Sequence, residues 1–267
     1  MEPIPFRILS VKQELHDCFT LTLACDQIPF HFVPGQFNML YVFGHGEVPI
    51  SISGNPNQPE LLVHTIRNVG SVTAALQQLK KGDFVGVRGP FGNQWPLSEA
   101  KGKEIVILAG GLGLAPLRPT IYRILEYRDH YKKITLLYGA RNPDAVLFSD
   151  ELGQWAHQIE VELTVDSAGA EWLGHVGVVT DMLQQQMGSS TNTIAFVCGP
   201  EIMMRFSAYA LMDRGLNADQ IYISMERNMK CAVGICGRCQ FGPYFICQDG
   251  PIFSFDKVEQ LLKIREV

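Results

Sequence analysis

The sequence predicts an antiparallel β-barrel, then a doubly wound α/β domain with a parallel sheet, then a small cysteine-bearing C-terminal segment. Three observations carry that fold class. Residues 1–98 are short alternating or apolar runs broken by turn clusters, residues 99–224 switch to strand and helix in alternation, and residues 225–267 gather four of the seven cysteines. A chain of 267 residues exceeds one ordinary core, so two domains and an appendage suit its length.

In the first segment the runs FRILSV, CFTLTLAC, FNMLYVF, ISISG, LLVHTIRNV and FVGVRG read as strands, separated by PGQ, GHGE, GNPNQP, KKGD and GPFGN. One helix interrupts them, Ser71 to Lys80, entered from Gly70 and closed before Gly82. In the second segment EIVILAG, KITLLYGAR, IEVELTVD, TIAFVCGP and QIYISM are strands. PLRPTIYRILEYR, SDELGQWAHQ, VTDMLQQQM and EIMMRFSAYALMDRG are the helices between them. The tail FDKVEQLLKI reads as one or two helical turns.

Composition narrows the function classes. Hydrophobic residues make up 46% and charged residues 18%, and no run approaches the roughly 20 apolar residues of a membrane span. The net charge of −5 and the lack of any basic block give no footing for nucleic acid. The start MEPIPFRILSV shows no basic stretch followed by an apolar one, and the odd number of cysteines argues against a disulfide framework. The expected compartment is therefore the cytoplasm.

Cys231, Cys236, Cys239 and Cys247 are spaced Cys-x4-Cys-x2-Cys-x7-Cys, the ligand spacing of plant-type 2Fe-2S centres. Gly234 and Gly237 lie between ligands, where the backbone must turn sharply and offer N–H groups to sulfur. A four-cysteine zinc site and a set of unliganded core thiols are the competing readings, although zinc hooks usually come as two separated Cys-x2-Cys pairs. Cys18 and Cys25 are most simply small buried hydrophobes.

LAGGLGLAP runs a strand through Gly110, Gly111 and Gly113 into a helix beginning near Pro116, a junction where backbone approaches a pyrophosphate and N–H groups face it. It departs from GxGxxG, and an ordinary tight turn is the plain alternative. VCGP places Cys198, Gly199 and Pro200 at the carboxyl edge of the same sheet, where such folds bind ligands; for the cysteine, simple burial is the alternative.

A barrel with a PxS strand, followed by GGxGxxP, YGxR and CGP, resembles the ferredoxin–NADP reductase superfamily over essentially the whole chain. The resemblance implies an FAD barrel and an NAD(P)H domain. Its flavin motif Arg-x-Tyr-Ser corresponds to Val48, Pro49, Ile50 and Ser51, with only the serine retained. Ser51 then takes the place beside flavin N5 and Ile50 that of the stacking aromatic. The missing phosphate arginine has a substitute in Arg67 of HTIRNVGSVT, together with Thr65, Ile66, Gly70, Ser71, Val72 and Thr73 around the short helix's N-terminus. A solvated strand residue is the plain alternative for Arg67. The nicotinamide cofactor falls to Gly110, Gly111, Gly113, Ala115, Pro116, Gly139, Arg141, Gly199 and Pro200, with Cys198 against the ring. Glu226, beside Arg227, resembles the family's acidic-basic pair at the flavin edge, unless the two form a surface ion pair. Ser51, Cys198 and Glu226 are the implied catalytic groups.

Within that superfamily GEVPISIS, IRNVGSVT, GVRGPFGN, LAGGLGLAPLR and ERNMKCAVGICGRC with ICQDGPIF resemble the gamma, or diaphorase, subunits of cytoplasmic NiFe hydrogenases (sulfhydrogenases). The flavin subunit of anaerobic sulfite reductase and the electron-transfer subunit of dihydroorotate dehydrogenase are similar. The resemblance implies electrons moving between NAD(P)H, FAD and a 2Fe-2S cluster, for hydrogenase large, small and iron–sulfur subunits. A stand-alone ferredoxin reductase and a non-catalytic cluster adaptor are the alternatives from other classes.

Overall fold

The structure is a computed structural model that describes residues 2–25, 29–186 and 192–264. Its contacts divide the chain into two compact units. One holds Met1–Gln94, Ala115–Arg123 and Glu226–Pro251, the other Trp95–Leu114, Ile124–Met225 and Ile252–Val267.

The first unit is built on six antiparallel strands: β1 (Ile4–Leu15), β2 (Cys18–Ala24), β3 (Phe37–Val42), β4 (Gly46–Ser51), β5 (Leu61–Arg67) and β6 (Phe84–Phe91). Helix α1 (Ser71–Gln78) lies between β5 and β6. The order is β4-β3-β6-β1-β2-β5, and a bridge from Ile52 to His64 joins the two edges into a barrel. The alternation in CFTLTLA and LLVHTIR sends Phe19, Leu21, Leu23, Leu62 and Ile66 into one core with Leu76 of α1. Each such side chain contributes about 1.5–3 kcal/mol by leaving water. Pro49 sits in β4, an outer position in the strand order, where a missing N–H costs least.

From β7 onward the chain alternates as its hydrophobic runs dictate: β7 (Glu104–Gly110), α2 (Leu114–Glu126), β8 (Ile134–Ala140), α3 (Ser149–Trp155), β9 (Glu160–Val165), β10 (His175–Val176), α4 (Val179–Gln186), β11 (Thr193–Cys198), α5 (Glu201–Asp213) and β12 (Ile221–Ser224). After β12 the chain forms the cysteine segment, with the hairpin β13 (Gln240–Phe241) and β14 (Tyr244–Phe245) and the short helix α6 (Ile246–Asp249). It then returns as β15 (Ile252–Ser254), antiparallel to β12, before α7 (Phe255–Val258). The sheet order is β10-β9-β8-β7-β11-β12-β15, parallel apart from that last strand.

Several expectations shift in detail. Helix α1 stops at Gln78 instead of Lys80, and α2 begins at Leu114, so Pro116 sits within its first turn, where no N–H is missed. The contact grouping departs from the contiguous division 1–98, 99–224 and 225–267. Ala115–Arg123 goes with the barrel, and residues from Ile252 go with the α/β sheet because β15 pairs there. Met187, the last residue of the VTDMLQQQM helix reading, lies outside the described residues.

Candidate functional site

In the barrel unit, Ser51 ends β4, and its carbonyl oxygen lies 2.9 Å from Nδ1 of His64. A carbonyl only accepts, so Nδ1 carries the proton, and Nε2 takes a bond from Asn38 Nδ2 at 3.1 Å. Burial pulls the His64 pKa down to about 4 against the opposing effect of the Ser51 bond, so the ring is neutral at physiological pH. Val48 and Ile50 pack against the barrel core while only partly buried, so some of their surface stays open along β4.

Gly70 has no side chain to cap α1, which begins with no side-chain cap bond and with its first intrahelical bond from Ala74 N–H to Gly70 O. Thr73 is buried, and its hydroxyl accepts from the N–H groups of Val69 and Gly70. Arg67 is not a bare solvated residue: it pairs with Asp17 at 3.2 Å while its side chain is 41% exposed. A helix start with no side chain from its cap residue over the first-turn N–H groups, four residues on from a half-exposed guanidinium, suits a diphosphate. Thr65 bonds to the hydroxyls of Thr20 and Ser53, and Ile66 lies in the barrel core, so both side chains are committed to the barrel. Three successive residues of β5, His64, Thr65 and Ile66, are buried, so its alternation gives no sign of which face is free.

The cysteine segment folds in the same unit. Among the described residues no three His, Cys, Asp or Glu side chains gather as around a single metal ion. The Cys231 thiol interacts with that of Cys236, and the Cys247 thiol with those of Cys239 and Cys231, so the four cysteines face one another within one loop. Burial acts to raise the Cys231 thiol, but the N–H groups of Val233, Cys236 and Ile235, at 3.4, 3.5 and 3.3 Å from its sulfur, hold it down at about 6. Burial, then the Cys239 thiol, pushes Cys247 up to about 12, although Gly234 N–H donates to it at 3.3 Å. Gly234 and Gly237 both have φ of +72°, a backbone conformation that L side chains rarely adopt, so the wrapping favours glycine at both positions.

Arg227 lies over the Phe241 ring at 4.6 Å. Glu226 keeps solvent contact, yet protein atoms crowd it closely enough for burial to push its carboxyl up, opposed by Arg67.

In the α/β unit, Gly111 turns with φ of +52° after β7, and Tyr138 Oη donates to its carbonyl at 3.2 Å. A Cβ on Gly113 would meet the Cys198 carbonyl oxygen at 2.3 Å, and one on Gly199 would meet Met203 Sδ at 2.8 Å. The β7–α2 and β11–α5 turns therefore abut at the carboxyl edge of the sheet, bringing Gly110, Gly111, Gly113, Cys198, Gly199 and Pro200 together. Cys198 is 5% exposed there. Ala115 is buried and Pro116 lies beside it in the first turn of α2. Gly139 lies in β8, against Val179, and Arg141 is exposed just after that strand.

Two partnerships escaped sequence reading because they join distant positions. Arg88 and Glu47 are 41 residues apart, and the Arg118 Nη1 bond to the Ser53 carbonyl, 3.1 Å long, spans 65. The strings GVRGPFGN and GLAPLR showed the arginines but nothing of their partners.

The chain matches the oxidoreductase FAD-binding domain family over residues 7–95, the oxidoreductase NAD-binding domain family over 107–208, and the iron–sulfur cluster binding domain of dihydroorotate dehydrogenase B over 226–259. These define the class: a ferredoxin–NADP reductase-like oxidoreductase that takes FAD, NAD(P)H and an iron–sulfur cluster. Among curated proteins the chain is 34% identical to the sulfhydrogenase 2 subunit gamma of Pyrococcus furiosus over 93% of each chain. It is 35% identical to that organism's probable dihydroorotate dehydrogenase B electron transfer subunit, over 84% of this chain and 80% of the relative. A solved NADH-dependent reduced ferredoxin-NADP oxidoreductase chain is 26% identical with a TM-score of 0.77, covering 98% of this chain and 94% of that one. A Neisseria gonorrhoeae ferredoxin NADP+ reductase shares the fold at 19% identity and TM-score 0.72, over 82% and 97% of the two chains. The chain belongs to the family of flavin and iron–sulfur electron-transfer subunits that contains the sulfhydrogenase gamma and dihydroorotate dehydrogenase B proteins.

Proposed function

We propose that this chain is the diaphorase subunit of a multi-subunit redox complex in the cytoplasm, exchanging electrons between NAD(P)(H) and a NiFe-hydrogenase partner. The observation that carries the reading is the end-to-end match to a sulfhydrogenase gamma subunit, 93% of each chain. When bound, FAD supplies the conversion between a hydride and single electrons, which the cluster carries onward.

The residues then divide the work. The start of α1 and Arg67 hold the FAD diphosphate, and Ser51, its backbone fixed by His64, presents its hydroxyl to the flavin ring beside Val48, Pro49 and Ile50. Glu226 stands at the flavin edge with its carboxyl pushed up, suited to holding a proton there. The abutting glycine turns seat the dinucleotide, with Cys198 against the nicotinamide and Arg141 beside the adenosine ribose. Cys231, Cys236, Cys239 and Cys247 are the iron ligands.

Affinity purification of the tagged chain from its own cells tests the partner. Co-purified subunits containing nickel, with hydrogen-dependent NAD(P)+ reduction by the assembly, are expected. Co-purification with a dihydroorotate dehydrogenase catalytic subunit or a sulfite-reducing one would favour the second reading, supported by the 35% identity to the former's electron transfer subunit.

A further inference from the structure

Arg88 stands in β6 opposite Met39 of β3, and β3 pairs on its other side with β4, where Tyr41 faces Glu47. To reach Glu47 the side chain crosses the width of β3, since strands two apart are separated by about 10 Å. It arrives as a fork: Nε bonds Oε2 at 3.0 Å and Nη2 bonds Oε1 at 2.6 Å. The two side chains are 10% and 27% exposed, so water screens this pair less than an ordinary surface pair. The remaining nitrogen, Nη1, points elsewhere and donates to the backbone carbonyl of Cys231 at 3.4 Å, a long bond that carries the guanidinium's charge. Phe91 lies against the guanidinium, its ring centre 5.7 Å away. One side chain thus ties three barrel strands to the first of the four cysteines.

We propose that Arg88, held in place by Glu47, is a positioning residue for electron transfer, fixing the cysteine loop on the flavin strand and setting the charge that the cluster meets. The proposal rests on the reading of the four cysteines as cluster ligands. Its logic is electrostatic. Reduction adds one negative charge to the cluster, and a nearby cation favours that step while a nearby carboxylate opposes it. In the intact protein the two charges largely compensate. Removing Arg88 leaves the Glu47 carboxylate facing the loop alone and makes the cluster harder to reduce. Removing the Glu47 charge leaves the guanidinium alone and makes it easier to reduce. A purely structural role would not give opposite signs, because loosening the loop from either end exposes the cluster to the same water.

The test uses the full chain, reconstituted with iron, sulfide and FAD, as parent, Arg88→Gln and Glu47→Gln. The cluster's midpoint potential is read from its reduced-state paramagnetic signal during a redox titration. A shift to more negative potential in Arg88→Gln and to more positive potential in Glu47→Gln supports the proposal. Shifts of the same sign, or none, overturn it. Should Arg88→Gln lose its cluster, Glu47→Gln decides alone: a positive shift supports the role, and an unchanged or negative one overturns it. If the parent chain gives no such signal, the cysteine-ligand reading falls and this proposal with it. A parent signal insensitive to both changes removes only the role of Arg88.

Discussion

His64 is fully buried and pairs with Ser51 and Asn38, so protonating it in the folded state means charging a group cut off from water. The sign of its effect on stability follows. In the unfolded chain the ring takes a proton near its ordinary value of 6.5, in the folded chain only near 4, so the unfolded state binds more protons between those values. Its contribution is complete above pH 6.5 and is lost as pH falls toward 4, to the extent of about 3 kcal/mol. His64→Gln is expected to flatten the acid limb of a plot of melting temperature against pH between 7 and 5. An acid limb as steep as the parent's would mean that the ring is not held neutral. Cys198 offers a second residue-scale test. If it lies against the nicotinamide, Cys198→Ala slows stopped-flow reduction of the flavin by about tenfold with FAD content intact, a barrier change near 1.4 kcal/mol. An unaltered rate leaves it a packing residue at the end of β11.

The two glycine turns separate element-scale causes that look alike in the sequence. Gly111 has φ of +52° and open space where a Cβ would go, so Gly111→Ala meets only backbone strain, about 1–2 kcal/mol. Gly113 has its Cβ position 2.3 Å from the Cys198 carbonyl, so Gly113→Ala must push the β11–α5 turn away. Gly113→Ala is expected to weaken NAD(P)H binding far more than Gly111→Ala, measured as the Kd for a non-reducing nicotinamide analogue. Equal effects would show that the abutment of the turns does not shape the site. This contrast also marks how far the sequence could be read. Strands such as EIVILAG and CFTLTLA declared themselves by apolar run or alternation, and the cysteine spacing declared the loop. The three-residue β15 and the two-residue β10 were invisible because pairing, not pattern, makes them strands. The burial of Thr65 beside Ile66 was hidden for a related reason: at Thr65 alone the other face of β5 is also covered, by Thr20 and Ser53, and only those neighbours reveal it.

At the scale of the whole molecule the question is whether flavin chemistry and cluster chemistry separate, since the proposed function requires hydride transfer to come first and not to depend on iron. Cys239 is 1% exposed, its sulfur accepts from the Cys247 N–H, and its thiol interacts with that of Cys247. Cys239→Ser replaces that thiolate with a poor iron ligand, and is expected to bleach the visible iron–sulfur absorption and abolish the reduced-state paramagnetic signal. Nothing in α1, Arg67 or β4 is touched, so FAD should stay bound and NAD(P)H should still reduce it. A dye that takes electrons directly from flavin should turn over at a rate within about twofold of the parent, a barrier change of less than half a kcal/mol. Delivery of electrons to the partner enzyme should fall to background. Full partner-linked activity in the variant would mean that electrons leave from the flavin, and that the four cysteines serve the fold instead of the current.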